Sequence, residues 1–346
     1  MIITRTPYRI SFFGGGTDYP PWFQEHGGAV LATTIDRYCY IKCRFLPPFF
    51  DHKTRVVWSE IELVTDHGAI RHPVIREVLR YLRIDEGVEI HHDGDLPARS
   101  GLGSSSAFTV GILNALYTLQ GKAVPKEELA RRAIYVEQEL LHENVGVQDQ
   151  IETAFGGLNA IDIFPDGSFS VKPVPIGGER LQLLQDHLLL VYTGVARFAS
   201  DVAADKVASI PKKQDELKLM RQMVDEGYRI LTGSGDIQDF GRLLHESWEV
   251  KRTLSSKVAP TFVNDIYAKA RDAGALGGKL LGAGGGGFML FFVPPERRIA
   301  VLEALNQLLV VPIEFDRTGT QVIFYEPDTY SRTVHQRRDF IRLGAD

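Results

Sequence analysis

Cysteine is nearly absent from this chain: two residues in 346, Cys39 and Cys43. Both fall in the strand-like run Tyr38-Cys39-Tyr40-Ile41-Lys42-Cys43, where residues four apart share a face but stand too far apart to bridge. A disulfide scaffold is excluded, and no second pair completes a zinc site. Two buried thiols in a reducing compartment are the expectation. Long apolar runs are missing too, so no segment reads as a bilayer span. The opening residues Met1-Ile2-Ile3-Thr4-Arg5 lack the apolar core of a secretory leader. A cytoplasmic protein without a membrane partner is expected. An excess of positive charge is also lacking, with 39 basic against 44 acidic residues and a net charge of -5. A nucleic-acid partner would need a concentrated basic face. The one locally basic run, Arg332 to Arg342, reads as a solvated helix. Finally, no Gly-Lys-Ser/Thr triplet occurs, which excludes a Walker A loop.

What is present is ordinary for a globular chain, 44% hydrophobic and 24% charged. The length allows one large domain or two of usual size. Runs rich in β-branched and aromatic residues predict strands at Ile2–Thr6, Arg9–Phe13, Ala29–Ile35, Tyr38–Phe45 and Val88–His92. Helices are predicted at about Ser105–Gln120 and Lys126–His142, then a hairpin of Gly157–Phe164 with Ser168–Val174. Beyond a soft boundary near residue 180 come a buried strand, His187–Thr193, and three helical segments between Ala199 and Ala273. A glycine-rich turn, the strand Phe288–Val293, a helix from Pro295 and two closing strands complete the chain. Strands and helices in blocks favour an α+β fold, with domains at 1–180 and 181–346.

Three glycine-rich loops stand out. The first, Pro97-Ala98-Arg99-Ser100-Gly101-Leu102-Gly103-Ser104-Ser105-Ser106-Ala107, follows a strand and opens an apolar helix. Glycine lets backbone N–H groups come close to a ligand, and a helix start offers unpaired donors and a positive dipole end. One serine is enough for an N-cap. Three after two glycines offer hydroxyls for phosphate oxygens or a metal ion. A serine-hydrolase elbow is a poor match, because His187, His245 and His335 lie in nondescript surroundings. The second loop, Gly282-Ala283-Gly284-Gly285-Gly286-Gly287, contains Gly-x-Gly-x-x-Gly. A helix is expected before it and a strand after it, the wrong context for a dinucleotide fingerprint. Something must still approach that backbone closely. The third, Arg9-Ile10-Ser11-Phe12-Phe13-Gly14-Gly15-Gly16-Thr17-Asp18-Tyr19, is a strand ending in bare backbone and then an acid.

Two carboxylates attract attention. Glu137 lies on the apolar stripe of its helix, among Leu129, Ala133, Ile134 and Leu140. A buried ionised carboxylate is costly without a cation, and Mg²⁺ held partly by substrate phosphates would supply one. Asp149 sits between apolar neighbours in Val145-Gly146-Val147-Gln148-Asp149-Gln150-Ile151, as a helix cap or as a group accepting the proton of an attacking hydroxyl.

Together these motifs, in order from Arg5 to Leu290, resemble the GHMP kinases, named for galactokinase, homoserine kinase, mevalonate kinase and phosphomevalonate kinase. The family's metal-binding Glu and catalytic Asp stand twelve apart in galactokinase-like members, as Glu137 and Asp149 do here. The resemblance implies a ribosomal-protein-like N-terminal domain packed on a ferredoxin-like C-terminal domain, with the site between them. It implies ATP at Pro97, Arg99, Gly101, Leu102, Gly103, Ser104, Ser105 and Ser106, and Mg²⁺ on Ser105 and Glu137. Asp149 is then the catalytic base, with Arg9 stabilising it and facing the reacting oxygen. Asp18 binds sugar hydroxyls, with Gly14, Gly15, Gly16, Thr17, Gly284 and Gly285 along the substrate.

Galactokinases carry Glu and His where this chain has Gly15 and Gly16. The first motif, with Gly27-Gly28-Ala29-Val30-Leu31 and Thr34-Ile35-Asp36-Arg37-Tyr38, is instead similar to the branch that phosphorylates the anomeric hydroxyl of a heptose 7-phosphate. Fucokinase domains have a related first motif, and some proteins of this fold are sugar sensors rather than enzymes. A phosphorylated sugar would suit Arg197, placed after Thr193-Gly194-Val195-Ala196 to clamp a phosphate in bidentate fashion. Trp58 is a candidate wall for adenine. The oligomeric state is left open by the sequence, a homodimer included.

Overall fold

The computed structural model describes residues 1–47, 49–195, 205, 208, 210–255 and 257–327. Arg197, the Arg332 to Arg342 run and the start of the first helical segment expected after Ala199 lie outside the described residues. The fold is α+β, built on two sheets.

Strand β1 (Ile2–Phe13) and strand β2 (Gly28–Phe45) form its spine, separated by helix α1 (Pro20–His26). Each is one continuous strand where the sequence predicts two. Pro7 pairs with Tyr38 and Tyr8 with Ile35, so Asp36 and Arg37 bulge out of the ladder. A proline has no N–H to give, and the bulge absorbs the mismatch without ending either strand. Short strands β3 (Thr54–Val57) and β4 (Ile61–Val64), helix α2 (Pro73–Tyr81) and strand β5 (Val88–Gly94) follow. Helix α3 (Ser104–Leu119) packs across β1 and β2 beside α4 (Lys126–Tyr135) and α5 (Gln148–Phe155). The predicted helix to His142 leaves α geometry at Tyr135 and makes a π turn over Val136–Leu140. Strands β6 (Leu158–Ile163) and β7 (Phe169–Pro173) extend the sheet as the expected hairpin.

Helix α6 (Gly178–His187) leads into strand β8 (Leu188–Tyr192), the centre of the second sheet. Helices α7 (Gln214–Thr232), α8 (Gln238–Lys251) and α9 (Thr261–Asp272) precede strands β9 (Gly277–Leu280) and β10 (Phe288–Phe292). The second glycine loop therefore joins two paired antiparallel strands, a hairpin turn with a strand rather than a helix before it. Helix α10 (Arg298–Ala304) and strand β11 (Leu309–Val311) close the four-stranded sheet in the order β11-β8-β10-β9. The chain then returns: β12 (Phe315–Asp316) and β13 (Gln321–Tyr325) pair with β2 and β1, completing a nine-stranded sheet among the described residues. The halves are joined by an aromatic seam. Phe240 of α8 meets Phe12 and Phe13 of β1 edge-on, with centroids 5.2 and 5.1 Å away. No helix among the described residues is long and apolar enough to cross a membrane. Both cysteines are free and buried, as expected of β2.

Candidate active site

A cleft of about 420 Å³ opens where β1, the loop before α3, the start of α5 and the β9–β10 turn converge. One wall is made of backbone. Helix α3 begins after Gly103, whose φ of 72° is left-handed and which supplies no side-chain cap. The first N–H groups of a 16-residue helix are thus left without a side-chain cap beside the cleft. The glycines of the first two loops have a more specific reason than ligand access. An added Cβ on Gly101 would lie 2.5 Å from the Leu281 carbonyl oxygen, and one on Gly287 2.2 Å from that of Ser100. Phe288 N donates to Ser100 O at 3.1 Å. What approaches each glycine loop closely is the other one. Gly282 and Ala283 line the cleft, whereas Gly284 and Gly285 lie against Val258, with Gly285 N donating to Val258 O at 3.1 Å. Ser104 Oγ accepts from Arg99 N at 3.1 Å and holds the first loop's shape.

The other wall is made of side chains, and α5 organises it. Successive helical residues point about 100° apart, so Gln148, Asp149 and Gln150 fan out in three directions. Gln148 Nε2 donates to Asp18 Oδ2 at 2.9 Å. Asp149 receives both Arg9 Nε and Nη2, each at 2.6 Å, a bidentate pair. Gln150 Nε2 donates to Glu137 Oε2 at 2.5 Å. One turn of helix thus holds the three acids that the motifs single out. Arg9 is fixed further by Nη1 donating to Gly101 O at 2.7 Å. A Cβ on Gly103 would lie 3.4 Å from Asp149 Oδ2, so the carboxylate stands directly against the first glycine loop. Asp149 keeps 24% of its side-chain surface exposed against 4% for Arg9, which puts the acid at the cleft face and the cation behind it. Glu152, one turn on, is fully buried on Asn159, and burial pushes its carboxyl up to about 8. Burial thus favours its neutral form, and the guanidinium's hydrogen bonds go to Asp149 and Gly101 O.

Asp18 is held almost fully buried by Gly16 N, which donates to Oδ1 at 2.7 Å, and by Gln148. Gly146 permits this: a Cβ there would overlap Asp18 Oδ2 at 1.9 Å. Of the bare turn, Gly15 faces the cleft. Gly14 packs on the Ala29 carbonyl, and the Thr17 hydroxyl shares its one proton between Gly14 O and Ala29 O, both at 2.9 Å.

Glu137 lies behind the cleft wall in the π turn, an irregularity frequent at functional positions. Ser106, rather than Ser105, donates to its Oε2 at 3.0 Å, while Ser105 lines the cleft. Its Oε1 accepts no hydrogen bond. The nearby Thr109 hydroxyl commits its one proton to Ser105 O at 3.1 Å. Burial, with the nearby Glu143 charge adding to it and the Gln150 and Ser106 hydrogen bonds opposing it, raises the Glu137 carboxyl to about 8. An orphaned oxygen on a buried acid beside serine hydroxyls fits a hard cation that also takes phosphate oxygens.

Pro97 is exposed and Leu102 is core, so neither side chain lines the cleft. Trp58 sits elsewhere, its indole donating to Glu62 at 2.9 Å and its ring edge-on to His72. Lys251 and Lys279 line the cleft with over nine-tenths of their surface buried, and neither stands out in the sequence. Lys279 Nζ donates to Phe12 O at 2.6 Å, and Lys251 Nζ to Leu280 O and Gly282 O, both at 2.7 Å. Lysines in a helix and a strand read as surface charges.

Sequence models of known families match both halves of the chain, GHMP kinases N terminal domain over residues 69–157 and GHMP kinases C terminal over 228–311. With the cleft geometry, they define the class: the chain belongs to the GHMP kinases and is a sugar phosphotransferase. The D-glycero-alpha-D-manno-heptose 7-phosphate kinase of Campylobacter jejuni is 28% identical over 92% of this chain and 98% of its own. A crystal structure titled D-glycero-D-manno-heptose 1-phosphate kinase, from Bacteroides thetaiotaomicron, superposes with a TM-score of 0.75 at 25% identity, covering 94% of this chain and 100% of that one. The Bacteroides fragilis L-fucokinase/L-fucose-1-P guanylyltransferase is 29% identical over 86% of this chain, which spans 35% of that longer protein.

Proposed function

We propose that this kinase transfers the γ-phosphoryl group of ATP to the anomeric hydroxyl of D-glycero-D-manno-heptose 7-phosphate, with Mg²⁺ as cofactor. The observation that carries the sugar is the similarity to the Campylobacter jejuni heptose 7-phosphate kinase across nearly the whole of both chains. The bare Gly14-Gly15-Gly16 turn is consistent with it, since it leaves room and backbone donors where galactokinases carry two polar side chains. Phosphoryl transfer passes through a loose transition state, so positioning matters more than base strength. Asp149, clamped by Arg9 and pressed against Gly103, holds the acceptor hydroxyl at the phosphate loop and takes its proton. Asp18 fixes the sugar's remaining hydroxyls. Mg²⁺, held by Glu137 and Ser105 together with the nucleotide phosphates, would neutralise charge on the transferring group.

The test is ADP release in a coupled assay with heptose 7-phosphate, unphosphorylated heptose, L-fucose and galactose under identical conditions. Heptose 7-phosphate should have the highest kcat/KM. The fucokinase domain of the Bacteroides fragilis relative supports a second reading. A clear preference for L-fucose would replace the first reading with it.

A further inference from the structure

Two polar atoms in the acceptor part of the cleft have no role in holding the fold. Ser11 Oγ and Gln148 Oε1 are buried without any hydrogen-bond partner. Ser11 is 5% exposed and Gln148 9%, and both line the cleft. Buried polar atoms are normally satisfied, and one left unsatisfied in the empty protein costs stability. Each is a close chain neighbour of a residue of the acceptor wall, and both line the cleft that Arg9 and Asp149 line. Ser11 lies two residues beyond Arg9 on β1, on the same strand face. Gln148 immediately precedes Asp149 on α5. The two side chains meet at Gly15: a Cβ built there would lie 3.6 Å from Ser11 Oγ and 3.7 Å from Gln148 Nε2, the nitrogen bonded to the same amide carbon as the unpartnered oxygen. The orientation of the Gln148 amide is fixed chemically, because its nitrogen must face the Asp18 carboxylate, to which it donates at 2.9 Å. Its oxygen is therefore an acceptor, and the serine hydroxyl both accepts and donates.

We infer that Ser11 and Gln148 form a specificity subsite for a single hydroxyl of the acceptor, the one on the carbon next to the carbon phosphorylated. Such a hydroxyl donates to Gln148 Oε1 and accepts from Ser11. Asp149 acts on the reacting hydroxyl, and Asp18 lies beyond. The subsite rests on the sugar-kinase reading but not on which sugar is the substrate. A site built to hydrogen-bond a hydroxyl penalises the analogue lacking it, because its own buried groups are then left unpaired.

The experiment has two arms. In the first, wild-type enzyme is given heptose 7-phosphate, L-fucose and galactose; this arm identifies the best acceptor and bears on the proposed substrate alone. In the second, that acceptor and its analogue deoxygenated next to the reacting carbon are compared on wild type, Ser11→Ala and Gln148→Met. Wild type should prefer the parent by tenfold or more in kcat/KM. Ser11→Ala should lower kcat/KM for the parent, leave the deoxy analogue unchanged, and so erase much of the preference. Its melting temperature should be no lower than that of wild type, since the hydroxyl is unsatisfied in the empty protein. Gln148→Met should behave likewise and also raise KM for both sugars, through the lost contact to Asp18. Equal kcat/KM for parent and deoxy analogue on wild type would overturn the subsite. So would parallel losses on both sugars in Ser11→Ala. Absence of turnover with heptose 7-phosphate would sink the proposed substrate alone, and the subsite is then judged on whichever sugar turns over.

Discussion

The two walls of the cleft are built by different means. The wall proposed to hold the nucleotide phosphates is backbone on backbone, with glycines of two distant loops pressed together at Gly101, Gly282 and Gly287. The acceptor wall is side chain on side chain, with Gln148, Asp149 and Gln150 of α5 reaching Asp18, Arg9 and Glu137. A backbone wall tolerates almost no change, because a single added methyl group meets a carbonyl. The side-chain wall is adjustable, since each contact is one rotamer against another. On the function proposed above, nucleotide phosphates, alike in every reaction with ATP, fall to the rigid wall and the choice of acceptor to the adjustable one.

The sharpest way to break the acceptor wall is Asp149→Asn. Arg9 keeps one hydrogen-bond acceptor in the amide, but the proposed proton acceptor is lost, and kcat should fall by about 10² or more, the range for a positioned base. KM for ATP should barely change. Steady-state kinetics with both substrates varied would reveal a shared loss, which would erase the distinction between the walls.

Next in size is Gly101→Ala on the phosphate wall. The new methyl group meets the Leu281 carbonyl oxygen at 2.5 Å, at a φ of +86°. Overpacking of this kind costs about 1–3 kcal/mol. Thermal melting should show the destabilisation, and nucleotide titration a weakened ATP site. Unchanged ATP binding would mean that the interlock does not shape the phosphate wall.

Glu137 links the walls, and pH measures it. Its carboxyl is raised from 4.5 to about 8, so between those values the folded protein retains a proton that the unfolded chain has lost. Its contribution to stability is complete below the lower value and declines as pH rises to the upper one. Melting of the protein without ligands should therefore fall over that window, and Glu137→Gln should flatten the slope. Mg²⁺ with ATP should release a proton on binding to wild type and less to Glu137→Gln, measurable by calorimetry in two buffers of different ionisation enthalpy. An unaltered slope in the variant would remove Glu137 from this role.

The smallest effect is expected from Glu152→Gln. A group already neutral near neutral pH loses little by becoming an amide, so kcat should hold nearly constant at pH 7. A large drop in kcat would show that Glu152 carries charge facing Arg9.

How legible each wall is in the sequence follows from its construction. Glycine runs are conspicuous, and the loops at Gly101–Ser106 and Gly282–Gly287 are marked by composition alone. Their mutual contact is not, because nothing local reveals that one loop's backbone fills the space above another's. Arg9, Asp18, Glu137 and Asp149 are picked out by motif order and by the resemblance that order carries, and the structure gathers Arg9, Asp18 and Asp149 in one cleft with Glu137 just behind its wall. Ser11 and Gln148 sit beside two of them yet look like ordinary polar residues, since their orphaned atoms appear only once burial is known. Pro7 and the Asp36–Arg37 pair imitate turns but mark a bulge, because two long strands held by a full ladder outweigh one missing hydrogen bond. Trp58 stands out by residue type alone, and its indole is engaged by Glu62.

The most direct test of the central claim is phosphorus NMR of a reaction containing the protein, ATP, Mg²⁺ and D-glycero-D-manno-heptose 7-phosphate. The account predicts loss of the γ-phosphate resonance, a retained 7-phosphate signal, and one new phosphomonoester resonance coupled to the anomeric proton. Phosphate appearing on another carbon, or an untouched heptose 7-phosphate beside ready phosphorylation of L-fucose, would contradict it.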